Sequence, residues 1–196
     1  MTKRPYRLKK RAESQAETRQ KIVDATIRLH QERGAVNTTM ADIARLAGVG
    51  KVTVYRHFAD LASLFGACSS HYFRTHPFPD PEEWRAISDP FGRLRHGLSE
   101  AYAYHDATEA MMNRAFSEVR GHPIMTPYHD HWRRAAGILL EPFLPRSDEK
   151  ALLAGLVLAI GYENWRVLCR DQDLSRDEAI ALMERLTNAR VEAARN

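Results

Sequence analysis

Residues 38–58 read TTMADIARLAGVGKVTVYRHF, and this stretch predicts the fold of the N-terminal part of the chain. Its pattern of apolar and polar residues predicts two short helices, over residues 40–47 and 51–57. Two helices can cross closely only where a small residue lies between them, and Ala44 is such a residue. Four residues later, Gly48 supplies a turn residue that tolerates positive φ. The stretch therefore has the pattern of a helix-turn-helix.

The same stretch contains the start signal of its first helix and the apolar anchors of its turn. Thr39 followed by Asp42 has the spacing of a capping box, in which the two residues satisfy each other's free backbone N–H groups. Ile43, Val49 and Val54 provide apolar side chains before and after the turn, and we expect them to pack inward.

The second helix is expected to expose a set of hydrogen-bond donors. Such side chains suit the phosphates and base edges of DNA. They are Lys51, Thr53, Tyr55, Arg56 and His57. Phe58, by contrast, is expected in the core of a small three-helix head, and Tyr55 could serve in both places.

Signals for two further helices flank this motif. Ser14 with Glu17 forms another capping-box pattern, so the first helix is expected to begin at Ser14. Gly34 is expected to end it, because glycine accepts the left-handed conformation that follows a helix. Asp60 is the expected cap of a fourth helix, over about residues 61–75.

Positive charge is concentrated in the N-terminal part. Residues 1–61 carry 13 Lys and Arg against 6 Asp and Glu, a net charge of +7, whereas the remaining 135 residues carry 16 against 19. The first segment therefore has the electrostatic character of a polyanion-binding head. Residues 1–13 hold six basic residues before the first acid and are expected to form a basic arm outside the folded domain. The arm could be a solubilising tail, or it could lie along phosphates or in a minor groove of DNA.

These residues at this spacing resemble the TetR/AcrR family of transcriptional regulators. The resemblance runs from Arg19 to about Leu64 and has three parts. They are Arg19-x-x-Ile22-x-x-Ala25, then Thr38-Thr39 with Asp42-Ile43-Ala44, then Gly48-Val49-x-Lys51-x-Thr53-Val54-Tyr55-x-His57-Phe58. Beyond this stretch, the chain resembles the family only in its helical character and its length.

The resemblance implies an all-α fold of about nine helices, a homodimer, and release of DNA when a small molecule binds the C-terminal part. By motif position, Thr53 and Arg56 would face bases, Lys51 would lie at the start of the helix, and Tyr55 and His57 would contact phosphates. Arg19 and Thr39 would add contacts from the first two helices.

Two positions depart from the family pattern. Gly50 stands where a serine often precedes the lysine, and it is a weaker but acceptable N-cap. Leu61 stands where a lysine of the fourth helix commonly reaches phosphate. One charged contact would then be missing, and the basic arm is a candidate to compensate for it.

The rest of the chain is expected to form a second domain. Residues 76–90 are rich in turn formers and would link the helix-turn-helix domain, residues 14–61, to a C-terminal regulatory and dimerisation domain, residues 76–196. Helical stripes without alternating stretches predict that this domain is entirely helical. Its last two helices, about residues 148–170 and 175–194, are the expected homodimer interface, since the first is apolar on nearly all sides.

A small-molecule pocket in that domain would be an apolar cavity with few polar groups. Its candidate lining residues are Tyr102, Met111, Met112, Phe116, Tyr128, Trp132 and Trp165, although each is more often a plain core residue. No cofactor is predicted. His122, His129 and His131 lie close together in sequence, but they lack the i, i+4 spacing that chelates a metal well, so no metal site is predicted.

Composition places the chain among globular proteins, with 44% hydrophobic and 28% charged residues. It has no run of about 18 apolar residues and no secretory signal pattern, so no contact with a membrane is expected. Cys68 and Cys169 are expected to be reduced thiols of a cytoplasmic protein.

Together with the motif, these features lead us to expect a repressor rather than an enzyme. It would bind a palindromic operator in double-stranded DNA as a homodimer and leave it when an unidentified small-molecule effector binds. An enzyme, a DNA binder without sequence preference and an activator are the alternatives. The sequence contains no nucleophile elbow, glycine-rich phosphate loop or metal-ligand motif that would support the enzyme.

Overall fold

The computed structural model describes residues 3–145 and 148–193, with side chains for residues 8–145 and 148–192. Within those residues the chain forms nine α-helices, which confirms the predicted all-α fold class. They are α1 Lys3–Arg33, α2 Met40–Ala47, α3 Lys51–His57, α4 Leu61–Thr75, α5 Pro90–Glu118, α6 Thr126–Leu140, α7 Glu149–Ile160, α8 Tyr162–Arg166 and α9 Arg176–Ala193. Residues 1 and 2 of the predicted arm and residue 194, the predicted end of the last helix, lie outside the described residues.

The chain divides into two compact units. The first comprises Met1–Pro77 and Asn113–Ile124, and the second comprises Phe78–Met112 and Met125–Asn196. The last residues of α5 group with the first unit because they bind its backbone. Glu118 accepts a hydrogen bond of 3.0 Å from the backbone N–H of Val36, and Arg114 donates one of 3.1 Å to the carbonyl of Glu32.

The core of the first unit is formed by apolar side chains from its first four helices. Ile22 of α1, Ile43 of α2, Val54 of α3 and Leu64 of α4 are each 0% exposed. Phe58, which follows α3, is also buried, as expected for a core aromatic. The short helices α2 and α3 are therefore held by packing against α1 and α4, since helices of this length are unstable alone.

The start predicted for the first helix is wrong. α1 begins at Lys3 rather than Ser14, which lies inside the helix, where its carbonyl accepts a side-chain hydrogen bond of 2.8 Å from the Thr18 hydroxyl. The residues before Ser14 are mostly Lys, Arg, Leu and Ala, which favour a helix, and Pro5 lies in the first turn, where proline is tolerated. Helix propensity therefore outweighs the capping pattern, and the basic segment is an extension of α1.

The other helix-end signals of the first unit are confirmed. Gly34 ends α1 at φ +87°, and Gly48 ends α2 at φ +67°, both in the left-handed region that glycine adopts at little cost. Thr39 and Asp42 form the predicted capping box. Asp60 caps α4 by accepting a hydrogen bond of 2.7 Å from the N–H of residue 63.

In the second unit, the apolar helix predicted over residues 148–170 is interrupted. α7 ends at Ile160, Gly161 has extended φ and ψ of −74° and 145°, and α8 leads into a π-helical turn, Val167–Asp171. Among the described helices, none is by itself long and apolar enough to span a membrane, although α7 and the bent segment after it, Tyr162–Asp171, meet that length and hydropathy together.

In the second unit, α9 begins with a capping interaction, and part of the expected linker is folded. α9 follows Ser175, whose backbone N–H donates a hydrogen bond of 2.9 Å to the carboxylate of Glu178, while the backbone N–H of Glu178 donates one of 3.3 Å to the Ser175 hydroxyl, so the two residues form a capping box. The expected linker contains a 3-10 helix, Pro81–Ala86, whose Trp84 is completely buried. The indole N–H of Trp84 donates to Glu100, so this part of the linker is packed into the second unit.

Candidate nucleic-acid interface

The turn between α2 and α3 holds α3 at the surface of the first unit. The N–H of Gly48 donates to carbonyls at the end of α2, and the N–H of Val49 donates to the Ala44 carbonyl at 3.0 Å. Val49 is half-buried, so this anchor is only partly covered. Among the seven described residues of α3, only Val54 is buried. The helix is thus fixed by one inward side chain and leaves most of its surface open.

The DNA-contacting residues predicted on α3 lie together on that open surface. Lys51 and Arg56 are exposed, Tyr55 is 48% exposed, and Thr53 and His57 are half-buried. The Lys51 ammonium lies 5.9 Å from the centroid of the Tyr55 ring, within the range of a cation–π contact. All five side chains carry donors that can reach phosphates or base edges, and their roles toward DNA stay predictions.

The two residues predicted from the earlier helices have other partners in the structure. The guanidinium of Arg19 lies 4.7 Å from the centroid of the buried Phe58 ring and is itself exposed. The Thr39 hydroxyl donates a hydrogen bond of 2.6 Å to the Asp42 carboxylate, which lowers the pKa of Asp42. A contact of Thr39 with DNA would therefore use the same hydroxyl group that already caps α2.

Sequence reasoning missed Val52. This side chain is 73% exposed, because a residue two positions before the inward-facing Val54 lies on the opposite side of the helix. A large exposed apolar side chain among donors suits contact with the C5-methyl group of thymine. The signal was present in the helical spacing, since only one of the valines at positions 52 and 54 could face the core.

The two positions that depart from the family pattern contribute little polarity. Gly50 is the N-cap residue of α3 and supplies no side-chain hydrogen bond there. Leu61 is the first residue of α4, and its apolar side chain is 37% exposed. Neither residue adds a charge to the surface around α3.

The second unit contains a group of neighbouring aromatic rings, here called the aromatic cluster. Its members are Phe78, Tyr104, His105, Tyr128, His131, Trp132, Tyr162 and Trp165. Phe78 stacks on His131 at a centroid distance of 4.3 Å. His105 lies 5.0 Å from Trp132 and 5.8 Å from Trp165, so it joins the rings of α6 to those of α8.

His105 and Tyr102 on α5 satisfy carbonyl groups that the break after α7 leaves without helical partners. The Tyr102 hydroxyl donates a hydrogen bond of 3.0 Å to the Ala159 carbonyl, and His105 Nε2 donates one of 2.9 Å to the Ile160 carbonyl. Burial lowers the pKa of His105 to about 4, so the ring is neutral at neutral pH. Because Nε2 carries the proton, Nδ1 is an acceptor.

The predicted pocket residues do not all lie together in the structure. Tyr128, Trp132 and Trp165 belong to the aromatic cluster, and Tyr102 lies next to it, 6.4 Å from His105. Met112 is buried and Met111 half-buried on α5 of the second unit, whereas Phe116 groups with the first unit. Sequence reasoning missed Phe78, Tyr104, His105, His131 and Tyr162. His105 could have been found, since it shares a helical face with the buried residues Leu98 and Ala101.

Each of the three histidines considered for metal binding has another neighbour, which for His129 is the Tyr128 ring, at a centroid distance of 5.6 Å. His122 Nδ1 accepts a hydrogen bond of 3.2 Å from the N–H of Ile124, and His131 stacks in the aromatic cluster. Within residues 3–145 and 148–193, no group of three or more His, Cys, Asp or Glu is placed to hold a metal ion. Cys68 and Cys169 are free thiols.

Comparisons with known proteins agree with this arrangement. A family model described as bacterial regulatory proteins, tetR family, matches residues 22–68. The HTH-type transcriptional regulator TtgR of Pseudomonas putida is 36% identical over 91 residues, which cover 46% of this chain and 43% of TtgR. The uncharacterized HTH-type transcriptional regulator TtgW of the same species is 30% identical over 111 residues, which cover 57% of this chain and 78% of TtgW. The crystal structure of a TetR-like transcriptional regulator from a Rhodococcus species matches with a TM-score of 0.59 and 22% identity, over 87% of this chain and 93% of that one.

An exposed helix, held by a glycine turn on a small helical core, defines a protein of the helix-turn-helix class. The chain belongs to the TetR family of bacterial regulatory proteins. The match spans less than half the length of TtgR, 43%, and the likeness to the Rhodococcus protein shows the fold alone. The activity of the whole protein therefore has to be argued from its own residues.

Proposed function

We propose that the protein is a sequence-specific transcriptional repressor that binds a palindromic operator in the cytoplasm and leaves it when a small-molecule effector binds. The observation that carries this proposal is the surface of α3. One buried valine fixes the helix, and the remaining side chains present donors together with the exposed methyl groups of Val52. A surface of this composition can read base edges in a major groove, which charge alone cannot do.

The donors divide into two roles. Thr53 and Arg56 are the proposed base-reading residues, and an arginine that binds a guanine through two hydrogen bonds discriminates by about 1–3 kcal/mol. Lys51, Tyr55 and His57 are the proposed phosphate contacts around them, with Arg19 and Thr39 adding contacts from α1 and α2. Phosphate contacts would position α3, and the base contacts would select the sequence.

Selection of binding sites from random duplex DNA by the full-length protein tests this proposal. We expect enrichment of a short palindrome whose half-sites lie about one helical turn apart, about 10 base pairs. Arg56→Ala should relax the preference at particular positions and cost about 1–3 kcal/mol there. The matched control Arg45→Ala removes the same charge from α2, where the side chain is 77% exposed and pairs with Asp42, and should leave the base preference unchanged.

Two rivals make different predictions in the same experiment. A binder without sequence preference would enrich no motif and would lose its binding as salt rises. That result would contradict the proposal. An activator would enrich a motif but raise transcription from a promoter that carries it, so a reporter with the selected site separates the two regulators. TtgR and TtgW are named as transcriptional regulators, which favours a repressor or an activator over an enzyme.

We further propose that the repressor is a homodimer through α7 and α9. These helices pack against each other, yet α7 exposes a face made of residues 151, 154, 155 and 158 at helical spacing. Leu158 is 64% exposed and Leu186 of α9 is 56% exposed. Apolar side chains at this exposure suit a self-complementary interface, and a twofold dimer would match a palindromic operator.

Gly155→Arg tests this interface. A Cβ added at Gly155 would meet nothing within 4 Å, and residue 155 is exposed, so the variant should keep its fold as a single chain. We expect it to be monomeric by light scattering and to lose operator binding. Gly121→Arg is the matched control, because Gly121 also has open space around it but lies far from α7 in sequence. A stable Gly155→Arg dimer would contradict the proposed interface.

For the effector, we propose a small molecule that binds beside the aromatic cluster. Aromatic rings supply adaptable apolar contacts, and Trp132 and Tyr128 are among them. His105 Nδ1 and Trp165 Nε1 are buried and have no hydrogen-bond partner among the described residues. Buried polar atoms of this kind call for a partner that a ligand can supply. The remaining pocket candidates, Tyr102, Met111, Met112 and Phe116, stay predictions.

A compound screen for loss of operator binding, followed by tryptophan fluorescence, tests this site. Trp165→Phe keeps an aromatic ring and removes the indole N–H, so it should weaken the response to the effector and leave operator affinity unchanged. Trp84→Phe is the matched control, because Trp84 is also completely buried but its N–H donates to Glu100 instead. If Trp165→Phe and Trp84→Phe respond to the effector equally, the effector does not bind at Trp165.

A further inference from the structure

The helical N-terminal extension forms one wall of a groove whose other wall is the recognition helix α3. The groove has a volume of about 490 Å³ and is called the arm groove here. Its lining residues are Lys10, Arg11, Ser14, Gln15 and Thr18 from α1, and Thr53, Arg56 and His57 from α3. All of these elements belong to the first unit, so the groove is a feature of one compact body.

The chemistry of the arm groove suits a strand of phosphates. Each of its eight described lining residues is either basic or carries a neutral hydroxyl or amide group. The acids of the same stretch, Glu13 and Glu17, are exposed and do not line it. The five lining residues of α1 follow the helical spacing of a single face, so the positive charges of Lys10 and Arg11 are directed to the same side as Arg56.

The helical state of the extension decides which part of a duplex it can contact. An α-helix with side chains is about 10–12 Å in diameter. The minor groove of B-DNA is only about 6 Å wide, so a helix cannot lie in it as an extended arm can. Phosphates remain accessible to a helix at the surface of the duplex, and long basic side chains can reach them.

We propose that the N-terminal extension of α1 is a second DNA-binding surface, in which the arm groove holds the phosphate backbone beside the major groove that α3 reads. This inference rests on the proposed DNA-binding function and adds a binding site to it. Lys10 and Arg11 bind phosphates from one wall, and Ser14 and Gln15 donate neutral hydrogen bonds. The extension therefore raises affinity for any sequence, while α3 sets the preference among sequences.

The salt dependence of binding measures this contribution. The slope of log K against log salt is negative, and each phosphate contact that is lost makes it shallower by about 0.9. Lys10→Gln with Arg11→Gln removes two charges from each arm groove without a helix-breaking residue. The proposed homodimer brings two arm grooves to the operator, so the slope should become shallower by about 3.6. Between 50 mM and 200 mM salt, the affinity of this variant should then change roughly 150-fold less than that of the wild type.

Neighbouring residues of the same type provide matched controls. Lys9→Gln removes the same charge as Lys10→Gln, but Lys9 does not line the groove. We expect Lys10→Gln to make the slope shallower by about 1.8, since the homodimer contains two copies of Lys10, and Lys9→Gln to change it by much less, while Lys10→Arg keeps the wild-type slope. Equal effects of Lys9→Gln and Lys10→Gln, or no effect of either, would overturn the proposal, because the groove would then have no special role.

A charge reversal gives an independent readout. Ser14→Glu places an acid in the groove, whereas Ala12→Glu places one on another face of α1, where it does not line the groove. Ser14→Glu should weaken binding at least tenfold more than Ala12→Glu at low salt. Equal losses would again overturn the proposal. Far-UV circular dichroism verifies that α1 remains helical in every variant.

The measurements separate this proposal from the proposed repressor function. They use full-length protein with two duplexes of equal length, the selected site and an unrelated sequence. If the wild type prefers neither duplex, sequence-specific repression fails, but the slopes of the arm variants on either duplex still test the groove. If the wild type prefers the selected site and the variants at Lys10 and Arg11 keep the wild-type slope, only the proposed phosphate binding by the arm groove is refuted.

Discussion

The contact between Gly34 and Glu118 joins two segments of the first unit that are distant in sequence. Gly34 adopts φ +87°, and a Cβ built there would lie 2.6 Å from the Glu118 carboxylate carbon. The same carboxylate accepts the hydrogen bond from the N–H of Val36. Gly34→Ala therefore imposes two costs, because the left-handed backbone becomes strained and the carboxylate must leave its position.

The magnitudes follow from these two contacts. A non-glycine residue in the left-handed region costs about 1–2 kcal/mol. Loss of the Glu118 hydrogen bond costs about 1 kcal/mol. We thus expect Gly34→Ala to lower the free energy of unfolding by about 2–3 kcal/mol and Glu118→Ala to lower it by about 1 kcal/mol. The double variant should lose no more than Gly34→Ala alone, because the alanine has already displaced the carboxylate.

Urea unfolding followed by far-UV circular dichroism measures these differences for both units. The three tryptophans of the chain, residues 84, 132 and 165, all belong to the second unit, so their fluorescence reports on that unit separately. Hydrogen exchange at Val36 supplies a local readout and should speed up in both single variants. Additive losses in the double variant would refute the reasoning, since they would mean that the carboxylate is not displaced.

Three other outcomes are expected. Burial lowers the pKa of His105 to about 4, below its unfolded value of about 6.5, so the unfolded chain takes up the proton first and stability falls as the pH drops between these values. Lowering the pH from about 7 to about 5 should reduce the free energy of unfolding of the wild type by about 2 kcal/mol more than that of His105→Phe. Urea unfolding followed by tryptophan fluorescence measures both values. Equal losses would mean that another group takes up the proton. Tyr102→Phe removes the hydrogen bond to the Ala159 carbonyl and should cost about 1 kcal/mol in the same assay, and an unchanged midpoint would count against that bond. Cys68 is buried, and burial raises its pKa to about 12, so a thiol reagent should label the half-buried Cys169 in the folded protein and reach Cys68 only after unfolding. Mass spectrometry of the labelled Cys68→Ala variant shows which thiol has reacted. Rapid labelling of Cys68 in the folded protein would contradict its burial.

The helix-turn-helix could be predicted because its signals are local. The capping box at Thr39 and the turn at Gly48 act within a few residues, and each is observed where the sequence pattern predicts it. The start of α1 could not be predicted in the same way. Two local signals compete there, the capping pattern at Ser14 and the helix propensity of the residues before it, and their balance depends on small free-energy differences.

The side-chain contacts within the second unit were harder to predict from the sequence, because they depend on which apolar helix faces pack against each other. Helical spacing shows that His105 shares a face with buried residues, but it does not show that α6 and α8 bring Trp132 and Trp165 to that face. Phe116 illustrates the same difficulty. It continues an apolar stripe of α5, yet its segment groups with the first unit through the contacts of Glu118.

The break after α7 connects the fold of the second unit to the chemistry of its proposed effector site. The apolar run predicts one continuous helix, but the chain turns at Gly161 and leaves the carbonyl of Ile160 without a helical N–H. His105 satisfies that carbonyl with its Nε2–H, and burial keeps the ring neutral at neutral pH. The backbone break thereby fixes the tautomer, and Nδ1 is left as an acceptor with no partner among the described residues. An effector that binds His105 at the proposed site therefore has to donate a hydrogen bond, which favours hydroxyl or N–H compounds over their methylated analogues.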